Sequence, residues 1–295
     1  MPLYFVKPKR WPPSRPVQFI LAFLALLIVL ALLAIWLFIG YRQSISPNVP
    51  DQSDTSLPVS AEPIAGVGNT LLILQQEQQT HFVLLQANPS AAHILVAAVP
   101  ANLATEDGST LADTLRKHGS IRAKEEAAAA LGMPIRHHIT LSAAAAESYF
   151  GYLEEGLTLT LPEDVAYVDQ NGAHVKLSAG QRTLSPAQMG ALLRYTGWQS
   201  ADHARDAAAD LIAAIINRYW RSDCSFKGHF ATLSNVAQTD LRIDHFNDYR
   251  ATLSYLAEHN DGTLCRRVVL SGTTANGFFT VDMAEMQTQT GLQFE

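Results

Sequence analysis

The chain predicts an α/β fold with helices laid on a central mixed sheet, and three observations predict it. Short Leu-, Val- and Ile-rich runs of strand length recur from NTLLIL (69–74) onward. Between them lie longer segments whose apolar residues repeat at helical spacing. The two kinds alternate along the chain, as they do where helices cover a sheet.

Taken in order, NTLLIL (69–74), HFVLLQA (81–87) and HILVAAV (93–99) are separated by polar or Asn-Pro turns and read as three strands, the central ones buried. Helical patterns follow at 110–118 and 121–131; the second is Ala-rich and closed by Gly132, with Pro134 behind it. RHHITL (136–141) reads as a strand, and Ser142 caps a helix running to about residue 153. LTLTL (157–161), VAYVDQ (165–170) and HVKL (174–177) read as strands near an Asn171-Gly172 turn. Ser185, Pro186 and Gln188 supply an N-cap, a pre-set first residue and a capping-box amide, so a helix opens at Pro186 with Arg194 in its last turn. After a break at 197–200, Asp202 and Arg205 lead into a helix reaching Trp220. The chain then stays mostly helical to about residue 260. LCRRVVL (264–270) reads as a strand, GTTANG (272–277) as a turn region, and FFTVD (278–282) leads into a short final helix.

Upstream of this domain the sequence changes character. Residues 19–39, FILAFLALLIVLALLAIWLFI, are apolar throughout and long enough at 1.5 Å per residue to cross roughly 30 Å of hydrocarbon. A cleaved signal peptide is the competing reading, but its apolar core runs only about 7 to 15 residues and ends in small residues, whereas this run continues into Trp36, Phe38 and Tyr41. Lys7, Lys9, Arg10 and Arg15 precede the span and Arg42 alone follows it closely, which places the N-terminus in the cytoplasm. The expected organisation is a cytoplasmic tail (1–16), a single transmembrane helix (17–41), a Ser/Pro-rich extracellular linker (42–68) too poor in apolar runs to fold, and one external domain (69–295).

Five of the 21 basic residues lie at or before Arg42 and all 27 acidic residues lie beyond it, leaving the external part near −11. That balance is a poor field for a polyanion and argues against a nucleic-acid partner, which needs a basic face.

The stretch 177–205, LSAGQRTLSPAQMGALLRYTGWQSADHAR, resembles the LytR-CpsA-Psr (LCP) family of bacterial cell-envelope proteins. Members carry AG-x-x-x-L-x-G-x-x-A-L-x-Y-x-R-x-R and then D-x-x-R-x-x-R-Q. Ala179-Gly180, Leu184, Gln188, Arg194, Asp202 and Arg205 match; Thr196 and Ala208-Ala209 do not. NTLLILQQ stands where the family has N-I-L-L-L-G-x-D, and LGMPIRHHITL where it has L-G-I-P-I-D-x-Y-V-x-V, in the same order along the chain. The resemblance implies a single LCP-like α-β-α sandwich. It also implies an activity: moving a glycopolymer from a polyprenyl-pyrophosphate carrier onto peptidoglycan, with arginines on the pyrophosphate and aspartates serving magnesium or the attacking hydroxyl.

Against that pattern, Gln76 stands at the first aspartate, Gln78-Gln79-Thr80-His81 at the R-S-D-T box, and Pro100-Ala101-Asn102 at P-R-D. Magnesium favours carboxylate oxygen, and neutral amides or alanine cannot copy a guanidinium's hold on phosphate. Arg194, Asp202 and Arg205 are left as pyrophosphate-binding candidates, with no confident catalytic residue. Two functions stand. One is a non-catalytic envelope protein binding a polyprenyl-pyrophosphate lipid, a glycan or a partner protein, with no cofactor. The other is a transferase with a reduced residue set, needing Mg²⁺ and acting between lipid carrier and peptidoglycan.

Other chemistry falls away. His137 and His138 are strand neighbours whose side chains point to opposite faces, so no metal site is expected there. No nucleophile elbow or P-loop motif occurs. Cys224 and Cys265, both external by the charge argument, are candidates for a disulfide joining helix and sheet.

The charge asymmetry makes a direct prediction. Protease added to intact protoplasts is expected to remove the C-terminal domain, and protection of that domain would refute the orientation.

Overall fold

The computed structural model describes residues 69–289 except 77, 89–90, 154–155, 170, 221–222, 243–244 and 261, with the side chains of 223–226, 246 and 287–289 left aside. The expected tail, membrane span and linker lie outside the described residues. Among the described residues, no helix is long and apolar enough to cross a membrane.

The three apolar runs form β1 (Thr70–Gln75), β2 (Thr80–Asn88) and β3 (His93–Val99), an antiparallel meander. β4 (His137–Ser142) lies parallel to β1, β9 (Gln238–Thr239) closes that edge antiparallel to β4, and β10 (Cys265–Val268) lies parallel to β3 at the other edge. The sheet is therefore mixed, in the order β10-β3-β2-β1-β4-β9. Successive side chains on a strand point to opposite faces, and here both faces are covered. Leu71, Ile73, Phe82, Leu84, Leu95 and Ala97 pack against Leu111, Leu115, Ala123 and Ala127 of α1 (Leu111–Leu131). The opposite face carries Leu72, Val83, Leu85 and Val96, all buried, and α4 (Ala201–Tyr219) lies across β2, β3 and β10 there.

The two helical patterns at 110–118 and 121–131 are the two halves of α1. Thr110 caps it by accepting from the Asp113 amide at 3.1 Å, and Gly132 ends it in the left-handed conformation. Gly119 breaks it, at φ 82° and ψ −178°. α2 (Ala143–Gly151) starts at its Ser142 cap as expected. β5 (Leu157–Leu161) pairs with β8 (Gly180–Leu184), enclosing the β6–β7 hairpin (Val165–Val168, His174–Leu177); β8 was not legible from its polar sequence. α3 (Pro186–Arg194) carries the full capping box, with the Ser185 amide donating to Gln188 Oε1 at 2.8 Å. α5 (Asp223–Val236) and α6 (Phe246–His259) complete the α4 side; of the GTTANG region expected as a turn, the first four residues form strand β11 (Gly272–Ala275) and only Asn276-Gly277 turn the chain into β12 (Phe278–Val281), ahead of α7 (Met283–Gln289).

β10 is fastened to α4 by side chains acting as backbone. The Asn217 amide donates to the Cys265 carbonyl at 3.2 Å and accepts from the Cys265 amide at 2.7 Å. Cys265 stands as a buried free thiol, where sequence reasoning offered a bridge to Cys224; burial pushes its pKa up and keeps it a small hydrophobe. The Cys224 side chain lies outside the described residues.

Gly119 and Gly262 test the backbone argument as a pair, since an added Cβ meets nothing within 4 Å at either and a left-handed φ is found at Gly119 alone of the two. Gly119→Ala is expected to destabilise the fold by about 1–3 kcal/mol and Gly262→Ala by close to zero. Equal urea midpoints for the two variants would show that the kink is unstrained.

Candidate functional site

The positions where the family places its charged groups gather at one end of the sheet, where β1 and β3 finish and β2 begins. Gln76 follows β1, and its backbone amide donates to the Gln79 carbonyl at 2.9 Å, closing a tight link into β2. Gln79 Nε2 then donates to the carbonyls of Leu193 and Tyr195 at 2.7 and 3.0 Å, and His81 Nε2 donates to the Leu193 carbonyl at 3.1 Å. These neutral groups hold the C-terminal end of α3, whose last carbonyls have no partner within the helix. Burial lowers the His81 pKa, with the Leu193 hydrogen bond acting the other way. Gln78 is exposed and Thr80 half-buried.

Arg194 leaves the last turn of α3 and forms an ion pair with Glu147 of α2. Arg205 pairs with Asp202 at 2.9 Å and with Asp206 at 3.4 Å, all three on α4. Asp206 in turn meets Arg267 of β10 at 3.2 Å, and Arg267 reaches Asp210 at 2.6 Å and the Val96 carbonyl at 3.1 Å. The two arginines that sequence placed at one helix junction are thus held by different carboxylates, Arg194 toward α2 and Arg205 in a chain of charges leading to the edge strand. Glu147 was missed because its signal, a glutamate in an Ala-rich helix, resembles any solvated side chain.

Of the remaining family positions, all but Thr196 are built into packing or backbone contacts of the fold. Ala208 and Ala209 are 1% and 0% exposed on α4, where an arginine would force a charge into apolar packing. Thr196 is exposed. Asn102 donates to the Gly277 carbonyl at 3.0 Å and accepts from the Phe279 amide at 2.9 Å, while the Ala101 carbonyl accepts from Ala112, so the Pro100-Ala101-Asn102 segment clasps the C-terminal hairpin to α1. Near Tyr195, whose ring meets that of Trp198 edge-on, the junction before α4 is tied down by buried Glu163: it accepts from the Gln199 amide at 2.8 Å and lies 2.6 Å from His203 Nδ1. Gln76 Nε2 and Trp198 Nε1 are both buried donors without an acceptor.

An apolar cavity of about 60 Å³ lies between the sheet and α4, α5 and α6, lined among others by Leu85, Ile94, Ile139, Ile216, Phe230 and Leu253. It takes in the Thr70 end of β1, not the Gln75 end, and its lining includes neither Arg194 nor Arg205. Beyond it stands a cluster that sequence reasoning set aside. Ladder register does put His137 and His138 on opposite faces, opposite Thr70 and Leu71 respectively. Asp240, just past β9 at the strand edge, nevertheless lies 3.5 Å from His137 Nδ1 and 3.3 Å from His138 Nδ1, and accepts from the His138 amide at 2.8 Å. Lys124 binds the same carboxylate at 2.8 Å. Burial would raise the Asp240 pKa, but Lys124 and the His138 amide outweigh it and hold it below the usual range. Among the described residues, no group of three or more metal-ligating side chains could hold an ion.

No sequence-family model and no curated protein matches the chain. Solved structures do. A protein from Eubacterium siraeum DSM 15702 described as a transcription regulator is similar with a TM-score of 0.66 at 14% identity, over 80% of this chain and 95% of its own. B. subtilis TagV is similar with a TM-score of 0.60 at 13% identity, over 75% and 92%. TagT bound to LI-WTA is similar with a TM-score of 0.56 at 17% identity, over 75% and 86%. TagV and TagT are LCP-family proteins, so the fold is LCP-like.

The burial of His81 sets a pH dependence. A histidine whose folded pKa lies below its ordinary 6.5 binds protons more readily when unfolded, so its contribution is complete above that value and is lost as pH falls below it. His137 and His229 are lowered in the same direction, first by desolvation. Stability is expected to fall from about pH 6.5 downward, and His81→Gln, which keeps a donor for Leu193, to flatten that slope. Urea midpoints between about pH 7.5 and 5 check it; an unchanged slope in the variant would mean that His81 is not part of the acid sensitivity.

Proposed function

We propose that this protein is a membrane-anchored, non-catalytic LCP-like domain of the bacterial cell envelope, and that it binds the tail of a polyprenyl-type or other lipid-linked ligand in the apolar cavity. The observation that carries the reading is the contrast between the two ends of the sheet. The cavity is lined almost wholly by apolar side chains, whereas, Arg194, Asp202 and Arg205 apart, the positions that would hold magnesium and pyrophosphate carry neutral residues, of which Gln79, His81 and Asn102 are bound to carbonyls of their own fold. Phosphoryl transfer depends on positioned positive charge and a metal clamp, and internally bonded amides supply neither. The TagT structure, with LI-WTA bound, supports a ligand of the lipid-linked glycopolymer class. Membrane anchoring rests on the apolar run at 19–39 and its basic flank.

One observation favours the transferase alternative: carboxylates stand beside both arginines, Glu147 at Arg194 and Asp202 and Asp206 at Arg205. These carboxylates are already paired with arginines, Asp206 with Arg267 as well, which leaves little to attract a cation.

The test has two arms. With a polyprenyl-pyrophosphate substrate and magnesium, the full chain is expected to show no cleavage or transfer; turnover that is lost in Arg194→Ala would establish the transferase. Geraniol is expected to bind, and Ala237→Phe, which fills the cavity wall, to weaken it by about tenfold or more. Unchanged geraniol binding in that variant would move the ligand elsewhere.

A further inference from the structure

The cavity meets polar ground at the end of the sheet away from Arg194. Tyr249 lines both the cavity and an open pocket bounded by Arg136, His137, His245 and Asp248. Register explains the adjacency. Thr70, a lining residue, stands opposite His137 in the β1–β4 ladder, and His137 shares its strand face with Ile139, another lining residue. At the threshold Thr70 Oγ1 and Tyr249 Oη lie 2.9 Å apart, one hydroxyl donating to the other. Inside, the hydroxyls of Ser234 and Thr252 donate to the carbonyls of Phe230 and Asp248 within their own helices, and that of Thr239 donates to the His138 carbonyl. The cavity therefore offers a tail nothing polar, and the groups able to hold a head lie just beyond Tyr249.

The charge of that pocket depends on the His137 imidazole. Arg136 and Asp248 balance formally, and the rings of His137 and His245 are 4.5 Å apart. Behind them Asp240 faces His137 and His138 and is matched by Lys124. With His137 neutral the pocket has no net charge, and protonation of His137 adds one positive charge; His245 Nδ1 is already occupied, accepting from the Arg242 amide at 3.1 Å. Desolvation is the largest influence holding His137 neutral, His245 and Lys124 add to it, and Asp240 opposes it. An anion in the pocket would supply the missing countercharge and draw a proton in with it.

We propose that this pocket is the head-group site for a single-chain anionic lipid, its head a phosphate ester or a carboxylate, whose tail lies in the apolar cavity. The ligand then enters from the His137 end of the sheet, opposite to Arg194. A cavity of about 60 Å³ takes on the order of four or five methylene-sized groups without movement, by the volume that one water needs. The proposal rests on the lipid-binding reading above but does not require a polyprenyl chain.

The experiment uses the full chain in nanodiscs of neutral lipid, with empty discs as the blank and octyl phosphate, octanoate and octanol as probes. Both anions, or one of them, are expected to bind more tightly than octanol, and the preference of octyl phosphate to grow about tenfold from about pH 8 to about pH 6. Octyl phosphate loses charge over that interval, so the tightening has to come from the protein. His137→Ala, checked for folding by circular dichroism, is expected to abolish the pH dependence. A preference for one anion supports the site and names the head. Equal binding of all three probes at both pH values overturns the head-group site while leaving the cavity reading in place. Binding of none overturns both. Anion binding that is lost in Arg194→Ala but kept in His137→Ala overturns the proposed direction of entry.

Discussion

The structure depends on a sheet that is buried on both faces. β1, β2 and β3 are almost entirely inaccessible, so every polar group on them has to find a partner inside the fold or cost about 1–3 kcal/mol. The pairings follow one by one. Asn69 fixes the entry of β4 by donating to the Pro134 carbonyl at 2.8 Å and accepting from the Arg136 amide at 3.0 Å. Thr140 donates to Ser120 of α1 at 2.8 Å, and His81 to the end of α3. Once the central strands are covered, ionised groups can stand only at strand ends, edges and helix surfaces, and that is where the charge clusters are found.

That constraint decides what the family-like positions can do. A side chain at the end of β1 or the start of β2 can turn outward to a ligand or inward to the neighbouring helix end. Gln79 and His81 turn inward, and their donors are spent on α3. Charged aspartate or arginine in such places would be left partly desolvated without a ligand, whereas an amide bound to a carbonyl is content. The same logic spreads Arg205, Asp206, Arg267 and Asp210 along the α4–β10 contact: they brace an edge strand of four residues that has little apolar surface of its own to hold it. Gln76 Nε2, Trp198 Nε1 and Asn69 Oδ1 are exceptions, buried polar atoms without a hydrogen-bond partner.

How far sequence reading reached follows from which signals are local. The three opening strands, the Ser142 and Ser185 caps, the Gly132 stop and the Asn171-Gly172 turn were legible because each is written in neighbouring residues. The polar strand β8 was not, since only pairing with β5 makes it a strand, and the two-residue β9 has no periodicity to read. The candidate site was legible as a set of replaced positions but not as geometry. That Arg194 would meet Glu147, or that His137 and His138 would flank one carboxylate, depends on contacts spanning about fifty and a hundred residues. Strand alternation separated the two imidazoles correctly; it said nothing about a side chain standing at the edge, where both faces can be reached.

The apolar cavity is the feature hardest to explain as packing alone. At about 24 cal/mol per Å³, an empty space of about 60 Å³ costs on the order of 1–2 kcal/mol, a substantial part of the 5–15 kcal/mol typical of a folded domain. The lining includes Ala87 on β2 and Ala237 after α5, small residues where a leucine or phenylalanine could close the gap. Elsewhere the same sheet is packed without slack, with Leu71, Ile73, Phe82 and Leu84 all inaccessible on the α1 side. One face is filled while the other keeps room beside its own small residues. An apolar occupant would recover the lost contacts, which a water could not do for lack of polar partners.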